Sequence, residues 1–157
     1  MKKIYLLAFT GLFASLSYSQ CAGGRYASDV FTNVDLTSGV VFGSNFSFSG
    51  AATVLDMDIY EPNGDSETAR PIIIWAHGGS FLGGTSEDPD VVALADRFVK
   101  KGYVFASINY RTGMWPIDQP SATKAVVRAV QDMKASIRFF YKDRVTTDTY
   151  KIDTTKI

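Results

Sequence analysis

The alternation of hydrophobic and polar positions predicts a pair of strands between residues 40 and 60. Leu55, Met57 and Ile59 alternate with polar or amphipathic side chains, which is the pattern of a half-buried strand. A partner strand is predicted over residues 40–48, and Ser-Gly-Ala at 49–51 has the composition of a turn. The two strands should therefore form an antiparallel hairpin, preceded by an extended lead-in over residues 22–37.

A continuous apolar run at residues 71–76 predicts a different kind of strand. It opens at Pro71 and is rich in β-branched residues, which favours a strand buried on both faces of a parallel sheet. A second, mostly apolar strand is predicted over residues 103–110. Because the segment between the two strands has a helical period, this region is predicted to be a βαβ unit.

Two helices follow from the 3.6-residue period. The first is predicted over residues 88–101, with Asp88 as its cap and Gly102 at its end. Its apolar stripe is Val91, Leu94, Ala95 and Phe98. The second is predicted over residues 122–141, with the stripe Ala122, Ala125, Val126, Ala129, Val130, Met133, Ile137 and Phe140. With residues 150–157 leading into a further strand, the elements predict an α/β fold: an antiparallel N-terminal hairpin leads into a parallel sheet flanked by helices.

Composition and charge narrow the functional classes. The 157 residues are 46% hydrophobic and 20% charged, as is typical of a globular domain. Residues 1–19 contain two lysines, an apolar run and a small-residue end, which is the layout of a secretory signal peptide. Its removal leaves 14 basic and 16 acidic residues in 20–157, so no basic face for nucleic acid is implied. We therefore expect a secreted or periplasmic protein, without membrane insertion after signal removal.

Cys21 is the only cysteine of the sequence, and it lies just past the predicted cleavage site. In an exported protein, a single cysteine indicates a missing disulfide partner, a lipid anchor or a free thiol. A lipid anchor needs a small residue immediately before the cysteine, and Gln20 is not small. A lost disulfide partner is favoured, and the other two alternatives stay open.

The strongest chemical signal is the sequence His77-Gly78-Gly79-Ser80-Phe81, which follows the apolar run at 71–76. The two glycines permit backbone angles that a side chain forbids, so the chain can turn sharply. Such a turn leaves backbone N–H groups pointing into open space, where they can stabilise an oxyanion. Ligands of open α/β sheets gather at the carboxyl ends of the strands, which places this turn and the loop at 111–121 at the same edge.

The glycine turn resembles the His-Gly-Gly oxyanion turn of α/β-hydrolases, in particular the esterase, lipase and carboxylesterase branch. The resemblance extends to Ser107-Ile108-Asn109-Tyr110-Arg111 and to the helix over 125–140, with Arg-Ala-Val-Gln-Asp at 128–132. It implies a serine hydrolase that acts on carboxylic esters.

The resemblance also implies a role for each residue of the turn. The amides of Gly79 and Ser80 would form the oxyanion hole, and His77 and Gly78 would support the loop. Ser80 stands where the commonest family loop has a third glycine, and the backbone N–H survives that change. Phe81, with Trp115 from the following loop, is implied as a substrate contact.

The catalytic triad of the resembled family does not occur in the sequence. In that family the strand beginning near residue 150 leads to a Gly-x-Ser-x-Gly elbow, followed by an acid and a histidine. No such elbow occurs in the 157 residues. The resemblance therefore implies that residues 20–157 are the N-terminal part of a hydrolase domain, truncated before the elbow. Its implied partners are a small-molecule ester and the missing C-terminal half of the domain, with no cofactor and no metal.

Two pairs of residues have competing interpretations. His77 and Ser80 are a possible base and nucleophile, but three residues on a sharp turn do not give the elbow geometry, and triad members ordinarily meet through the fold. Asp56 and Asp58 suit a metal site or an acid–base pair, although a solvated outward face is favoured.

Two further features have competing interpretations. Arg111 suits either a substrate carboxylate or, preferably, a tie between loops at the end of a strand. Trp115 and Met114 either line a substrate pocket or cap the core, and neither alternative is favoured.

Two functions from different classes remain. The first is ester hydrolysis by a serine nucleophile through an acyl-enzyme. The second is a non-catalytic, hydrolase-like binding domain at the cell surface, since a fold alone does not fix a function. The residue at the nucleophile position of the elbow distinguishes them.

Overall fold

The computed structural model describes residues 24–157, so the predicted signal peptide and Cys21 lie outside the described residues. The elements are β1 (Val34–Phe46), β2 (Ala52–Pro62), β3 (Ile72–Ala76), α1 (Pro89–Val99), β4 (Val104–Ile108) and α2 (Gln119–Val145). The strands form one sheet in the order β1-β2-β4-β3, in which β3 and β4 are parallel and the other pairs antiparallel. An antiparallel hairpin that leads into a parallel pair with flanking helices confirms the predicted architecture.

The first strand of the hairpin begins earlier in the structure than the sequence pattern predicts. β1 begins at Val34, so the prediction of an extended lead-in over 22–37 is wrong for its last residues, and residues 24–28 form a turn. Most of β1 is exposed, and its register against β2 shifts twice between Thr37 and Gly43. The sequence of β1 therefore shows no sustained alternation of hydrophobic and polar residues. This strand is held by its backbone hydrogen bonds to β2 and buries little of its own surface.

The strand buried on both faces is β4, whose five residues are all fully buried between β2 and β3. β3 lies at the edge of the sheet formed by the described residues, and Trp75 is 36% exposed. The prediction that β3 is buried on both faces is therefore wrong, because an apolar run does not record how many neighbours a strand has.

The end of the chain runs beside the start of β3. The Arg70 N–H donates to the Lys151 carbonyl at 2.8 Å, and the Ile72 N–H donates to the Lys156 carbonyl at 3.1 Å. Arg70 and Ile152 form a parallel bridge. Residues 150–157 thus approach the sheet at the open side of β3, as predicted.

α1 packs on one face of the sheet, where Val91, Ala95 and Val99 are buried against Tyr60 and Phe105. Leu94 and Phe98, predicted to be in the same stripe, are only partly buried. Asp88 occupies the N-cap position, but its carboxylate accepts from the Thr85 N–H at 3.1 Å and from no N–H of the helix. The predicted cap position of Asp88 is therefore confirmed, although its side chain does not cap the helix.

α2 packs on the opposite face and extends beyond the predicted 122–141 at both ends. Its buried positions include Ala125, Asp132 and Phe140, whereas Val126 and Val130 of the predicted stripe are exposed. The stripe is displaced because a polar residue, Asp132, takes an inward position. No helix within residues 24–157 is apolar enough over a sufficient length to cross a bilayer.

Candidate active site

The turn after β3 forms a compact loop at residues 77–84, which we call the glycine loop. Gly79, Ser80 and Phe81 have φ angles of +104°, +54° and +63° in succession, and the Leu82 N–H closes the turn on the Gly79 carbonyl at 2.9 Å. A positive φ costs a residue with a side chain roughly 1–2 kcal/mol. Ser80 therefore adopts the left-handed backbone that a glycine adopts without strain, and strain of this kind is concentrated at functional sites.

Two glycines allow the loop to fold back on itself. A Cβ atom on Gly79 would lie 2.2 Å from the Gly83 carbonyl oxygen. A Cβ atom on Gly84 would lie 2.3 Å from His77 Nδ1, and Gly84 has a φ of +104°. No side chain fits at either position, so the glycines that the sequence places here are required by close contacts within the loop.

The backbone amides of Gly79 and Ser80 are the candidate oxyanion donors. Both residues are exposed, and among residues 24–157 no protein group accepts a hydrogen bond from either N–H. Adjacent free N–H groups on a turn form a concavity suited to an anion. These are the properties that oxyanion donors need, and the role itself stays a prediction.

His77 is buried beneath the glycine loop. Its ring stacks on Tyr110 with centroids 4.5 Å apart, and Nδ1 lies 2.8 Å from the Gly78 carbonyl oxygen. The Tyr110 hydroxyl donates to the His77 carbonyl at 3.0 Å, and burial raises the pKa of that hydroxyl, which keeps it protonated. Within the described residues, no hydrogen bond joins His77 to Ser80. The contacts of His77 support the loop and do not support a local base–nucleophile pair.

The loop after β4, residues 109–118, lies against the glycine loop. The Gly113 N–H donates to the Phe81 carbonyl at 2.6 Å, and the Phe81 ring meets Tyr110 edge-on. Phe81 is therefore engaged in joining the two loops. Trp115 is 75% exposed, so the interpretation that it caps the core is wrong, and Met114 is partly buried.

Arg111 ties this loop to α2. Its Nη2 lies 2.6 Å from Asp132 Oδ1, and both its Nε and its backbone N–H donate to Asp132 Oδ2 at 2.9 Å. Nη1 donates to the Phe46 carbonyl at 2.8 Å, which also holds the end of β1. Because both charged side chains are buried, the preferred interpretation of Arg111 as a tie between loops is confirmed.

The aspartates of β2 belong to a polar network that the sequence did not reveal. Asp58 is 3% exposed and accepts from the Ser86 hydroxyl at 2.7 Å and the Gly39 N–H at 3.0 Å. Asp56 accepts from Asn109 Nδ2 at 2.7 Å, and Asn109 Oδ1 accepts from the Ser86 N–H at 2.8 Å. The prediction of a solvated pair is therefore wrong, because segments distant in sequence cover the face. No three His, Cys, Asp or Glu side chains of residues 24–157 cluster as they would around a metal ion.

Comparison with known proteins places this arrangement in a family. The BD-FAE family model matches residues 57–157, which is more than half of the chain. The chain belongs to the BD-FAE family. In this BD-FAE chain, the matched region contains the glycine loop, the loop after β4 and the whole of α2.

Two relatives of the BD-FAE chain are esterases by name. It is 26% identical to mouse carboxylesterase 1D over 107 residues, which is 68% of this chain and 17% of that protein. It is 32% identical to the fumonisin B1 esterase of Sphingopyxis macrogoltabida over 94 residues, 59% of this chain and 16% of that protein. The chain thus spans less than a fifth of the length of these curated relatives.

A solved structure shows the same fold. An esterase from Thermogutta terrifontis superposes with a TM-score of 0.56 at 20% identity, over 79% of this chain and 38% of the other. This likeness shows the α/β-hydrolase fold, of which the BD-FAE chain has the N-terminal portion. The family resemblance indicated by the sequence is confirmed, together with the fold that it implied.

Proposed function

We propose that this BD-FAE protein is a secreted serine esterase whose oxyanion hole is formed by the amides of Gly79 and Ser80. The observation that carries the proposal is the pair of free, adjacent N–H groups, held at positive φ on a fold of the esterase type. In an ester reaction, these donors would stabilise the charge that develops on the attacked carbonyl oxygen. The substrate is a small-molecule carboxylic ester, and hydrolysis proceeds through an acyl-enzyme.

The nucleophile, acid and base come from a continuation of the polypeptide beyond Ile157. Ile152 forms a parallel bridge with Arg70, just before β3, and the Ile72 N–H donates to the Lys156 carbonyl, so a strand that continued beside β3 would end near the glycine loop. Strands are commonly about five or six residues long, which predicts a Gly-x-Ser-x-Gly elbow within roughly ten residues of Ile157. An elbow there would place its serine at the same edge as the free amides.

The test is to remove one N–H group without changing a side chain. In the full-length protein, residue 80 is replaced by the α-hydroxy acid analogue of serine, which turns its backbone amide into an ester. If the Ser80 N–H binds the oxyanion, kcat falls about 100- to 1,000-fold with little change in KM, since the interaction forms in the transition state. The matched control is the same replacement at Ser66, another exposed serine whose N–H donates to no described residue.

An unchanged kcat on backbone replacement at Ser80 would overturn the oxyanion assignment. Replacement of the side chain alone, in Ser80→Ala, should keep activity within about threefold, since the N–H remains. Loss of turnover in Ser80→Ala would make Ser80 the nucleophile and contradict the proposal.

The competing function is a non-catalytic binding domain at the cell surface. It requires an elbow in which glycine or asparagine replaces the nucleophilic serine. Sequencing of the complete reading frame therefore decides between the two functions. Secretion is tested separately, by N-terminal sequencing of the exported protein, which should begin after Ser19.

A further inference from the structure

A small cavity opens beside the loop that follows β4. Its volume is about 100 Å³, which corresponds to about three water molecules at ~30 Å³ each. The cavity is lined by Phe48, Met114, Trp115, Ser121, Lys124 and Arg128. The lining therefore combines aromatic and apolar side chains with two positive charges.

Neither cation of the cavity is neutralised by an ion pair. Among residues 24–157, no carboxylate lies within ion-pairing distance of Lys124 or Arg128. Arg128 Nη2 donates to the Gly113 carbonyl at 2.5 Å, and its Nε is buried without an acceptor. Asp118 lies close enough for the Lys124 charge to act on it, but its carboxylate is engaged by the Ser121 N–H at 2.8 Å. The positive charges of Lys124 and Arg128 are thus available to a ligand.

An exposed aromatic side chain also borders the cavity. Trp115, which lines it, is 75% exposed, and the nearby Ile117, which does not line it, is 67% exposed. Phe48 packs closely on Gly113, since a Cβ atom there would lie 2.1 Å from Phe48 Cδ1. Aromatic side chains that share a cavity with two cations favour a ligand with an apolar part and a negatively charged end.

Two hydrogen bonds through Gly113 link Arg128 of the cavity to the glycine loop. Gly113, whose carbonyl accepts from Arg128, donates its N–H to the carbonyl of Phe81 in the glycine loop. A ligand seated in the cavity would therefore contact the loop after β4, which is hydrogen-bonded to the loop that carries the free amides of Gly79 and Ser80.

We propose that this cavity is a subsite for a carboxylate-bearing part of the ester substrate. The carboxylate lies against Lys124 and Arg128, and the adjoining apolar carbons pack on Trp115. The assignment to an ester rests on the proposed function, whereas the binding of the anion needs no catalysis.

The test measures binding without turnover in the full-length protein. The probes are 3-phenylpropionate and its neutral amide, 3-phenylpropionamide, which differ in charge and hardly in shape. Calorimetry should show that the acid binds about 3- to 10-fold more tightly than the amide, and that added salt reduces the difference.

Two lysine variants on the same helix separate this subsite from general charge effects. Lys124→Gln should reduce the preference for the acid, because only Arg128 then remains to attract it. Lys134→Gln is the matched control, because Lys134 is an exposed residue of α2 that does not line the cavity. Trp115→Ala should weaken both probes alike.

Equal affinity for acid and amide, no binding of either, or equal effects of the two lysine variants would overturn the subsite. A protein that discriminates between the probes but hydrolyses no ester would refute the proposed function and leave the subsite standing. An active esterase that does not discriminate between the probes would refute the subsite and leave the proposed function standing.

Discussion

The guanidinium of Arg111 and the carboxylate of Asp132 form a buried ion pair that joins the end of β4 to the middle of α2. Their closest atoms, Nη2 and Oδ1, are 2.6 Å apart, and the Arg111 backbone N–H also donates to the carboxylate. Since Arg111 holds the Phe46 carbonyl as well, this pair fixes three segments around the loop that contacts the glycine loop. The geometry of the candidate site therefore depends on a contact that involves no site residue.

Removal of one member of this pair should destabilise the protein strongly. Asp132→Ala leaves a buried guanidinium without its counter-charge, so the free energy of unfolding should fall by about 3–5 kcal/mol, measured by urea denaturation of the full-length protein. The double variant Arg111→Met with Asp132→Leu should lose much less, because no unpaired charge remains. Asp96→Ala, which breaks the exposed pair with Lys100, is the control and should cost less than about 1 kcal/mol. Equal losses for Asp132→Ala and Asp96→Ala would contradict the structure.

The glycine loop should tolerate a methyl group at one glycine and not at its neighbour. Gly84→Ala places a Cβ atom 2.3 Å from His77 Nδ1 at a φ of +104°, so the loop must open. We expect a loss of at least about 1–3 kcal/mol of stability and a fall in kcat of about 100-fold or more. Gly83→Ala is the matched control, since its Cβ atom would have nothing within 4 Å, and its effects should be small. The stability of both variants is measured by thermal unfolding and their kcat by ester hydrolysis. Similar values for the two variants would contradict the close contacts of Gly84.

The burial of the Tyr110 hydroxyl leads us to expect a loss of stability at alkaline pH. Burial raises the pKa of its hydroxyl above the ordinary value of 10.0, and the same holds for Tyr60 and Tyr150. Below about pH 9 these groups are protonated in both states, so they add no pH dependence. As the pH rises through 10, the unfolded chain releases its protons first, and the free energy of unfolding decreases.

Urea denaturation between pH 8 and pH 11 measures this effect. Tyr110→Phe should reduce the alkaline slope and cost about 1 kcal/mol at neutral pH, because the His77 carbonyl loses its donor. Tyr141→Phe, at a half-exposed ring, serves as the control. An alkaline slope that is the same in Tyr110→Phe and in the unaltered protein would exclude Tyr110 as its source.

The 157-residue chain by itself should show no esterase activity. It contains the candidate oxyanion donors but no Gly-x-Ser-x-Gly elbow, and an oxyanion site without a nucleophile gives only residual rates. Hydrolysis of a simple aryl ester by the purified chain is the measurement. Turnover that disappears in Ser80→Ala would contradict the prediction, and turnover that survives it would contradict the prediction as well unless a contaminating esterase is shown.

The sequence by itself determined the order and type of the elements around the site. The alternation at 55–59, the helical period at 125–140 and the glycine turn after the apolar run each follow from interactions between near neighbours along the chain. The glycines that the loop requires could likewise be identified in the sequence, because a sharp turn after a strand depends on local backbone freedom. The tie formed by Arg111 was the preferred interpretation of an arginine at the end of a predicted strand, but its partner Asp132 was not predicted.

Only the tertiary structure decided which faces are covered and which groups are left free. Asp58 has the pattern of a solvated residue, and Ser86 and Gly39 bury it from distant parts of the chain. β3 has the composition of a central strand but lies at the edge of the described sheet, since sheet order follows from long-range pairing. The positive φ of Ser80 and the two unpaired cations beside Trp115 likewise depend on how separate loops meet. Local patterns cannot encode these relationships, because burial and electrostatic pairing depend on residues that only folding brings together.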